Sequence, residues 1–312
     1  MPYYLQYAFT SVISSIIANI LNLFYIKKQY QYTPCITINK DCLKHFKSIM
    51  IMFGSAIATL IYINSDVTIL GVLKDDTIVG YYSVSAKIYT LIKQLLNALL
   101  VVAIPRLSSE IAKLDFKILN KHYNQIFSYL VLILGPACTG LFMLSDNIIL
   151  LFSGSEYLPA ATSLRILSFS LLFASIACFY VNVIMIPNRM EKYVLRATII
   201  SAITNIVLNF VLIPLWGQNA AALTTLIAEF LMVICGVYYT KKIVQLHFDK
   251  NIFISFICSI GVAILCTINK MFFLNNTLII VTSLSASGLL WGICIIVSYR
   301  KAIMTFISHK YR

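Results

Sequence analysis

Five charged side chains interrupt the long apolar runs of this sequence, so each places an ionisable group in nonpolar surroundings. Asp66 and Glu229 are the acids, and Lys87, Lys93 and Arg165 are the bases. Ionisable groups in such surroundings are costly to maintain. They usually pair with one another, titrate or face a water-filled cavity, so they mark functional positions.

Transmembrane helices must position these charges. Of the 312 residues, 60% are hydrophobic and 11% are charged, whereas soluble domains average about 25% charged residues. The apolar runs have the length of about 20 residues that a helix needs to cross a bilayer. The sequence therefore predicts an all-α, polytopic transmembrane bundle of about nine spans: 6–26, 48–71, 80–104, 126–145, 163–187, 194–214, 219–239, 252–269 and 277–299.

The net charge of +13 follows the predicted topology. If the N-terminus is outside, five predicted cytoplasmic segments hold 19 of the 24 lysines and arginines: 27–47, 105–125, 188–196, 240–251 and 300–312. This bias is typical of inner-membrane proteins and predicts an outer N-terminus and a cytoplasmic C-terminus. It also argues against nucleic acid as a partner, since the basic residues mark loops beside the bilayer rather than one binding face.

Cysteine and histidine give no sign of a metal site, cofactor or disulfide framework. The eight cysteines contain no CxxC pair, and the four histidines lie in predicted cytoplasmic segments, away from the intramembrane carboxylates. Membrane metalloenzyme chemistry is therefore disfavoured. Buried cysteines of this kind behave as small apolar residues.

Polar residues recur on single faces of several predicted helices. Their spacing of three, four or seven residues places them one above another on a helix, and it predicts that these faces line a shared hydrophilic cavity. The residues are Ser48, Ser55, Thr59, Tyr62 and Asp66 in the second span; Ser83, Lys87, Thr90, Gln94 and Asn97 in the third; Arg165, Ser168, Ser175 and Asn182 in the fifth; Thr198, Ser201, Asn205 and Asn209 in the sixth; and Thr225 and Glu229 in the seventh.

Structural roles remain open for the charged members of these faces. Asp66 either forms an ion pair with Lys87 or couples transport to an ion. Arg165 lies near the outer end of its span, so its head group either reaches the interface or faces the cavity. Glu229 either makes a helix-packing hydrogen bond or serves the cavity.

Four segments resemble polysaccharide flippases of the MATE-like (MOP) superfamily, in particular O-antigen (Wzx-type) flippases. They occur in the family's order: "NSDVTILGVLKDDTIVGYYSVSAKIYTLI", "AIPRLSSEI", "LFSGSEYLPAATSLRIL" and "NIVLNFVLIPLWGQNAAALTTLIAEF". The last segment carries an asparagine-rich helix, an Ile-Pro-x-x-Gly turn and an Ala-Ala-x-x-Thr helix start. The resemblance covers residues 1–245.

The resemblance implies the second lobe of such a transporter, with most of the first lobe absent from this chain. Residues 1–26 would be the last helix of the first lobe, 27–47 a cytoplasmic connector and 48–245 the six-helix second lobe. Two additional C-terminal helices and a cytoplasmic tail would follow in 246–312.

The implied function is translocation of undecaprenyl-pyrophosphate-linked oligosaccharide units across the bacterial inner membrane, for O-antigen or another surface polysaccharide, without enzymatic catalysis. Polysaccharide polymerase and chain-length proteins are further candidate partners beside the bilayer and the glycan. The candidate substrate-binding residues are Lys87, Lys93, Arg165, Gln94 and Asn97, and the candidate coupling carboxylates are Asp66 and Glu229.

Three other functions remain open. A MATE-type ion-coupled drug exporter shares the architecture, although three intramembrane cations against two carboxylates favour an anionic substrate. A membrane polymerase or ligase would be expected to carry a large outer loop, and the predicted outer loops are short. An inactive truncated flippase is the third.

Overall fold

The computed structural model describes residues 3–30, 40–101, 116–247 and 250–310. Within these ranges the chain is helical and contains no β-strand. The helices are α1 (Tyr3–Tyr30), α2 (Lys40–Leu73), α3 (Asp76–Val101), α4 (Phe116–Ser153), α5 (Ala160–Cys178), α6 (Glu191–Trp216), α7 (Gln218–Thr240), α8 (Lys250–Phe272) and α9 (Asn276–Lys310).

The predicted all-α transmembrane architecture is confirmed. Each of the nine predicted spans overlaps one of the described helices. By length and composition, six helical segments of the described chain can cross a membrane: Ile118–Ser153, Ala160–Met185, Glu191–Trp216, Gln218–Thr240, Lys250–Phe272 and Asn276–Ile296. Helices α1, α2 and α3 overlap the first three predicted spans, and α2 begins earlier than predicted, at Lys40 within the predicted connector 27–47.

Two helices extend well beyond their predicted spans. Helix α4 begins at Phe116, within segment 105–125, whose apolar residues at helical spacing predict an amphipathic helix, and it continues through residues 146–153, where an outer loop was predicted. Helix α9 continues through Lys310, into the predicted cytoplasmic tail. The rest of the predicted amphipathic helix of segment 105–125 lies outside the described residues.

The chain divides into two compact units, residues 1–47 and 48–312. The first contains α1, which carries an apolar stretch at Val12–Tyr25. The second contains the remaining helices, with α2 from Ser48 onward. Its perimeter is rich in exposed large apolar side chains, including Leu95, Phe210, Phe253 and Leu289, as expected of a lipid-facing surface.

Helix α5 lies at the centre of the second unit, packed against α3, α4 and α7. Small residues make this close approach possible, because they let helix backbones meet in the absence of a strong hydrophobic force between helices. Gly236 on α7 is an example: a Cβ atom there would lie 2.8 Å from Cβ of Tyr180. The buried small residues on α5 and α7 are Ala160, Ala161, Ser163, Ser168, Ser170, Ala174, Ser175, Ala177, Ala220, Ala221, Ala222, Ala228 and Gly236.

Two local backbone features shape the interior. The predicted tight turn "PLWGQ" is confirmed: Gly217, with φ of 54°, ends α6 and opens α7, and this left-handed conformation favours glycine. After α5 the chain winds into a π-helical segment, Phe179–Met185. Such segments are rare and often occur at functional sites.

Candidate functional site

Asp66 lies in a buried polar cluster that joins four helices, and we name this group the Asp66 cluster. Its members are Ser65 and Asp66 on α2, Tyr82 on α3, Asn205 and Asn209 on α6, and Thr224 and Thr225 on α7. All seven are buried. The cluster lies where α2, α3, α6 and α7 meet, and its hydrogen bonds connect segments that are distant in sequence.

Neutral donors satisfy the Asp66 carboxylate. Oδ2 accepts hydrogen bonds from the hydroxyls of Tyr82 and Thr225, at 2.7 and 2.6 Å, and Oδ1 accepts one from Nδ2 of Asn209, at 2.6 Å. Hydrogen bonds to a charged acceptor are about twice as strong as neutral ones. Buried charge is tolerated only when it is satisfied in this way.

Further amides and hydroxyls of the Asp66 cluster hold Asn209 in place. Asn209 accepts a hydrogen bond from Thr224 Oγ1 at 2.5 Å and donates one to Asn205 Oδ1 at 3.1 Å. Ser65 Oγ donates to the same Asn205 oxygen at 2.9 Å. The asparagines therefore serve the interhelical contact, and Asn209 also binds the carboxylate directly.

Glu229 pairs with Lys93. The ammonium nitrogen lies 2.6 Å from Glu229 Oε1, and the Tyr89 hydroxyl lies 3.5 Å from the same oxygen. The lysine also lies over the Tyr89 ring, 5.6 Å from its centroid. The two partners differ in access, since the Lys93 side chain is 27% exposed and that of Glu229 is 6% exposed. The pair connects α3 to α7.

Two cavities of similar size meet at this ion pair. Cavity A, about 220 Å³, is lined by Asp66, Tyr82, Tyr89, Thr90, Gln94 and Thr225, and cavity B, about 210 Å³, by Cys178, Asn182, Thr198, Ser201 and Met232. Lys93, Asn97 and Glu229 line both cavities. At about 30 Å³ per water molecule, each cavity has room for about seven waters. The predicted polar faces of five helices therefore contribute to two adjoining polar cavities.

The structure separates the predicted substrate-binding residues. Lys93, Gln94 and Asn97 line cavity A, whereas Lys87 and Arg165 line neither cavity. Lys87 is exposed, and no residue in the described ranges pairs with it. The alternative in which Lys87 forms an ion pair with Asp66 is therefore wrong, because neutral donors occupy the carboxylate. Arg165 forms an ion pair with Asp146 on α4 and donates its hydrogen bond there.

The polar face predicted on α3 lies beside the buried face of that helix. Lys87, Thr90 and Gln94 are exposed, while Tyr82, Ser85 and Tyr89 are buried. One residue along a helix turns the side chain by about 100°, which moves it to an adjacent face. Of the predicted face, Thr90, Gln94 and Asn97 line cavity A.

Within the described ranges, no group of three or more His, Cys, Asp and Glu residues is placed to hold a metal ion. The predicted coupling carboxylates, Asp66 and Glu229, both line cavity A, but each has its own set of hydrogen-bonding partners. The site can therefore present one cation, two carboxylates and several neutral hydrogen-bonding groups to a ligand.

Comparison with known proteins gives matches to glycan flippases. Residues 1–111 match the family model described as "Polysaccharide biosynthesis protein". The chain is 24% identical over 254 residues to "Probable low-salt glycan biosynthesis flippase Agl15" of Haloferax volcanii, covering 81% of this chain and 49% of that protein. It is 26% identical over 141 residues to "Lipid II flippase MurJ" of Bacillus subtilis, covering 45% of this chain and 26% of that protein.

The fold agrees with these matches. A solved structure, "Lipid II flippase MurJ, inward closed conformation", superposes with a TM-score of 0.66 and 21% identity, over 92% of this chain and 61% of that one. The predicted resemblance to flippases of the MATE-like superfamily is confirmed. This chain spans about half the length of the Agl15 relative. It is a multi-pass membrane protein with the fold of a lipid II flippase.

Tyr82, Tyr89 and Asp146 were not among the candidate residues predicted from the sequence. Tyr82, Tyr89 and Lys93 are seven and four residues apart, so helical spacing alone could have grouped them. Asp146, the partner of Arg165, lies just beyond a predicted span and was assigned to an outer loop. Its helical position became evident only from the extension of α4.

Proposed function

We propose that this chain takes part in translocating undecaprenyl-pyrophosphate-linked oligosaccharide units across the bacterial inner membrane, for O-antigen or another surface polysaccharide. The observation that carries the proposal is cavity A, a polar cavity within an apolar helical bundle that contains the partly exposed ammonium of Lys93. The similarity to glycan and lipid II flippases supports the same substrate class. In this proposal no substrate bond is broken.

The charge of the substrate explains why a cation is needed. A pyrophosphate cannot enter hydrocarbon unassisted, because transferring an unpaired charge out of water is very costly. Lys93 would offset that cost from inside the bundle. Lys87, which is exposed on the same helix, would contact the anion at a different point on its path from Lys93. Arg165 is a third candidate, but it must first separate from Asp146.

Neutral polar groups would accommodate the sugars. Gln94 and Asn97 line cavity A beside Lys93, and Thr90 and Gln94 are exposed at its wall. Amides and hydroxyls both donate and accept hydrogen bonds, which suits sugar hydroxyl groups of varied identity. The lipid tail would stay in the bilayer during the movement. Rocking of one helical lobe against another would give alternating access.

Asp66 and Glu229 remain our candidates for coupling this movement to an ion gradient. Asp66 would act through the Asp66 cluster, since a change in its charge alters the hydrogen bonds that join four helices. Glu229 would act through its ion pair with Lys93.

We further propose an outer N-terminus and a cytoplasmic C-terminus, on the basis of the lysine and arginine bias. Residues 48–245 would form the six-helix second lobe, after the last helix of a first lobe in 1–26 and a connector in 27–47. Residues 246–312 would add two helices and a tail. Polysaccharide polymerase and chain-length proteins are the proposed protein partners.

Reconstitution tests the proposed translocation. The purified full chain is placed in vesicles with a fluorescent undecaprenyl-pyrophosphate-linked oligosaccharide in both leaflets, and a membrane-impermeant reductant bleaches the outer leaflet. The chain should raise the bleached fraction above about half. Lys93→Ala should slow this rise by at least about tenfold, the effect of losing one charge-assisted contact, with helix content and vesicle insertion unchanged.

A fluorescent phosphatidylcholine is the control, because general leakiness of the vesicles would move it as well. Bleaching that stops at the level of protein-free vesicles would refute translocation by this chain. Equal rates for Lys93→Ala and the original chain would refute the role of Lys93. A proton or sodium gradient imposed in the same assay should change the rate if the coupling proposal holds.

A further inference from the structure

We infer that Glu229 is an internal counter-ion that competes with the phosphate of the substrate for Lys93. Its carboxylate forms an ion pair with the Lys93 ammonium when no anion is present, and it repels the anion once the anion is bound. Glu229 therefore sets how tightly the headgroup is held and favours its release. This inference rests on the proposed function, because it assumes that Lys93 binds an anion.

The difference in access between the two partners is the first support. Lys93 is 27% exposed and lines cavity A, whereas Glu229 is 6% exposed. A lysine ammonium has three N–H donors, and in the described structure only one contact, to Glu229 Oε1 at 2.6 Å, occupies them. Two donors are therefore available to oxygens that arrive from the cavity. An anion can reach Lys93 before Glu229 leaves.

The weak hold on Glu229 is the second support. The hydrogen bonds to its carboxylate from the described residues both end on Oε1, and the one from Tyr89 is long, at 3.5 Å. Glu229 Oε2 accepts none from that part of the chain. Asp66, in the same cavity, has three short bonds on its two oxygens. Glu229 is thus held by a single cation, which an incoming anion would share.

Cavity B provides the third support, since it offers a place for the displaced carboxylate. Ser201 lines this cavity together with Glu229 and is only 1% exposed, yet its hydroxyl has no hydrogen-bond partner among the described residues. Buried polar groups are nearly always satisfied, so a hydroxyl without a protein partner beside a cavity is free to donate to water or to the displaced carboxylate. A carboxylate turning into cavity B would accept that hydroxyl hydrogen.

The physical consequence is a balance of two anions around one cation. With Glu229 charged, the phosphate gains the attraction of Lys93 but meets repulsion from the carboxylate a few ångströms away. Neutralising Glu229 removes both the competition and the repulsion. We therefore expect Glu229→Gln to bind the anionic headgroup at least about tenfold more tightly, the effect of one unit charge at short range in a partly polar site, and to release it more slowly.

The test is a binding cycle on the full-length chain in lipid nanodiscs, with farnesyl pyrophosphate as the probe and farnesol as its uncharged control. Glu229→Gln should lower the Kd for farnesyl pyrophosphate about tenfold, by the charge argument above. Glu229→Asp, which keeps the charge, should stay near the original Kd. Lys93→Met should raise the Kd about tenfold or more. In the Lys93→Met background, Glu229→Gln should tighten binding less than it does in the original chain, because only the repulsion is left to remove. Farnesol should bind all variants equally.

The outcomes separate the inference from the proposed function. If Lys93→Met weakens binding but Glu229→Gln does not tighten it, the counter-ion role is refuted and anion binding at Lys93 stands. If Lys93→Met leaves the Kd unchanged, both fail. If Glu229→Gln tightens binding equally with and without Lys93, the carboxylate acts through another group and the inference fails.

A measurement on the original chain covers the case in which Glu229→Gln does not fold. The sequence contains four glutamates. Carbon-13 labelling of glutamate separates their carboxylate bands from those of the aspartates in an infrared difference spectrum. Addition of farnesyl pyrophosphate should shift one labelled carboxylate band, because the carboxylate exchanges an ammonium for a hydroxyl partner. A difference spectrum without a labelled carboxylate band would overturn the inference.

Discussion

Asp66 and Glu229 are two buried carboxylates that line the same cavity and are satisfied by different chemistry. Asp66 has three neutral donors at 2.6–2.7 Å, from Tyr82, Thr225 and Asn209. Glu229 has one cation, Lys93, and one distant hydroxyl. The difference lies in what an incoming anion can disturb. It can draw Lys93 away from Glu229, but no comparable cation supports Asp66 among the described residues.

This contrast indicates that a polar site inside a membrane protein can combine a closed network with an exchangeable pair. The Asp66 network uses four helices, and three short hydrogen bonds already occupy its carboxylate oxygens. The Lys93 pair has a partly exposed partner and a cavity on each side. Satisfied networks make a structure rigid, whereas a single ion pair next to water is easier to rearrange. The two carboxylates should therefore respond differently to mutation.

The largest difference is expected between the alanine variants of the two acids. Asp66→Ala removes the acceptor that three buried donors share. The Thr225 hydroxyl keeps a contact to Ala221 O at 3.0 Å, and the Tyr82 hydroxyl keeps one to Thr225 Oγ1 at 3.3 Å. At about 1–3 kcal/mol for each lost bond, we expect a loss of about 3 kcal/mol in the free energy of unfolding. Glu229→Ala leaves Lys93, which can turn toward water, and should cost about 1–2 kcal/mol. Thermal unfolding in detergent, followed by loss of monomer in size-exclusion chromatography, measures both.

Asp66→Asn is the matched control for the first variant. It keeps the shape and one acceptor oxygen but places an amide against a donor, so its loss should fall between that of Asp66→Ala and the original chain. Equal destabilisation by Asp66→Ala and Glu229→Ala would contradict the distinction between the two acids.

The two tyrosines that contact these acids provide a finer test. Tyr82→Phe removes a hydrogen bond of 2.7 Å to Asp66 and should lower the free energy of unfolding by about 1–2 kcal/mol, as expected for a bond to a charged group. Tyr89→Phe removes a contact of 3.5 Å to Glu229 and should change it by less than about 0.5 kcal/mol.

Both tyrosine rings are buried, so the two variants share the same change in packing and differ only in the bond that is lost. The same thermal assay serves. A larger loss for Tyr89→Phe than for Tyr82→Phe would show that the carboxylate of Glu229, not that of Asp66, depends on its neutral partner.

The smallest effect concerns the unpartnered hydroxyl in cavity B. Ser201→Ala removes a donor that has no partner in the described structure, so the free energy of unfolding should change by less than about 0.5 kcal/mol. Binding of farnesyl pyrophosphate should weaken about two- to threefold, because displaced Glu229 loses its alternative donor, which is worth about 0.5–1 kcal/mol.

Ser175→Ala is the control for Ser201→Ala. Its hydroxyl is equally buried and also without a partner among the described residues, but Ser175 lines neither cavity. Its binding of the probe should match the original chain. Equal behaviour of the two serine variants would remove cavity B from the proposed exchange.

Much of the architecture could be predicted because the bilayer imposes it. Helices must satisfy their own backbone hydrogen bonds in lipid, so apolar length alone located nine segments, and the glycine of "PLWGQ" located a turn that Gly217 makes at positive φ. The same spacing argument identified Asp66, Asn209 and Thr225 as residues of polar faces, although each face was read separately.

The partners of the charged residues could not be predicted in this way. Lys93 and Glu229 are 136 positions apart in the chain, and spacing along one helix says nothing about which face of another helix it meets. Arg165 is an instructive case: its partner Asp146 was assigned to a loop because this charged residue ends the uncharged run of the fourth predicted span, whereas α4 continues through Ser153.

The sequence by itself determined that this chain crosses a membrane repeatedly, with a few charges carried on helical faces, because hydrophobic length and periodicity are local properties. Only the tertiary structure decided which charges meet. Helix rotation and packing of small residues on α5 and α7 bring Lys93 to Glu229 and surround Asp66 with hydroxyls and an amide, and these long-range contacts depend on the whole set of helices rather than on any one of them.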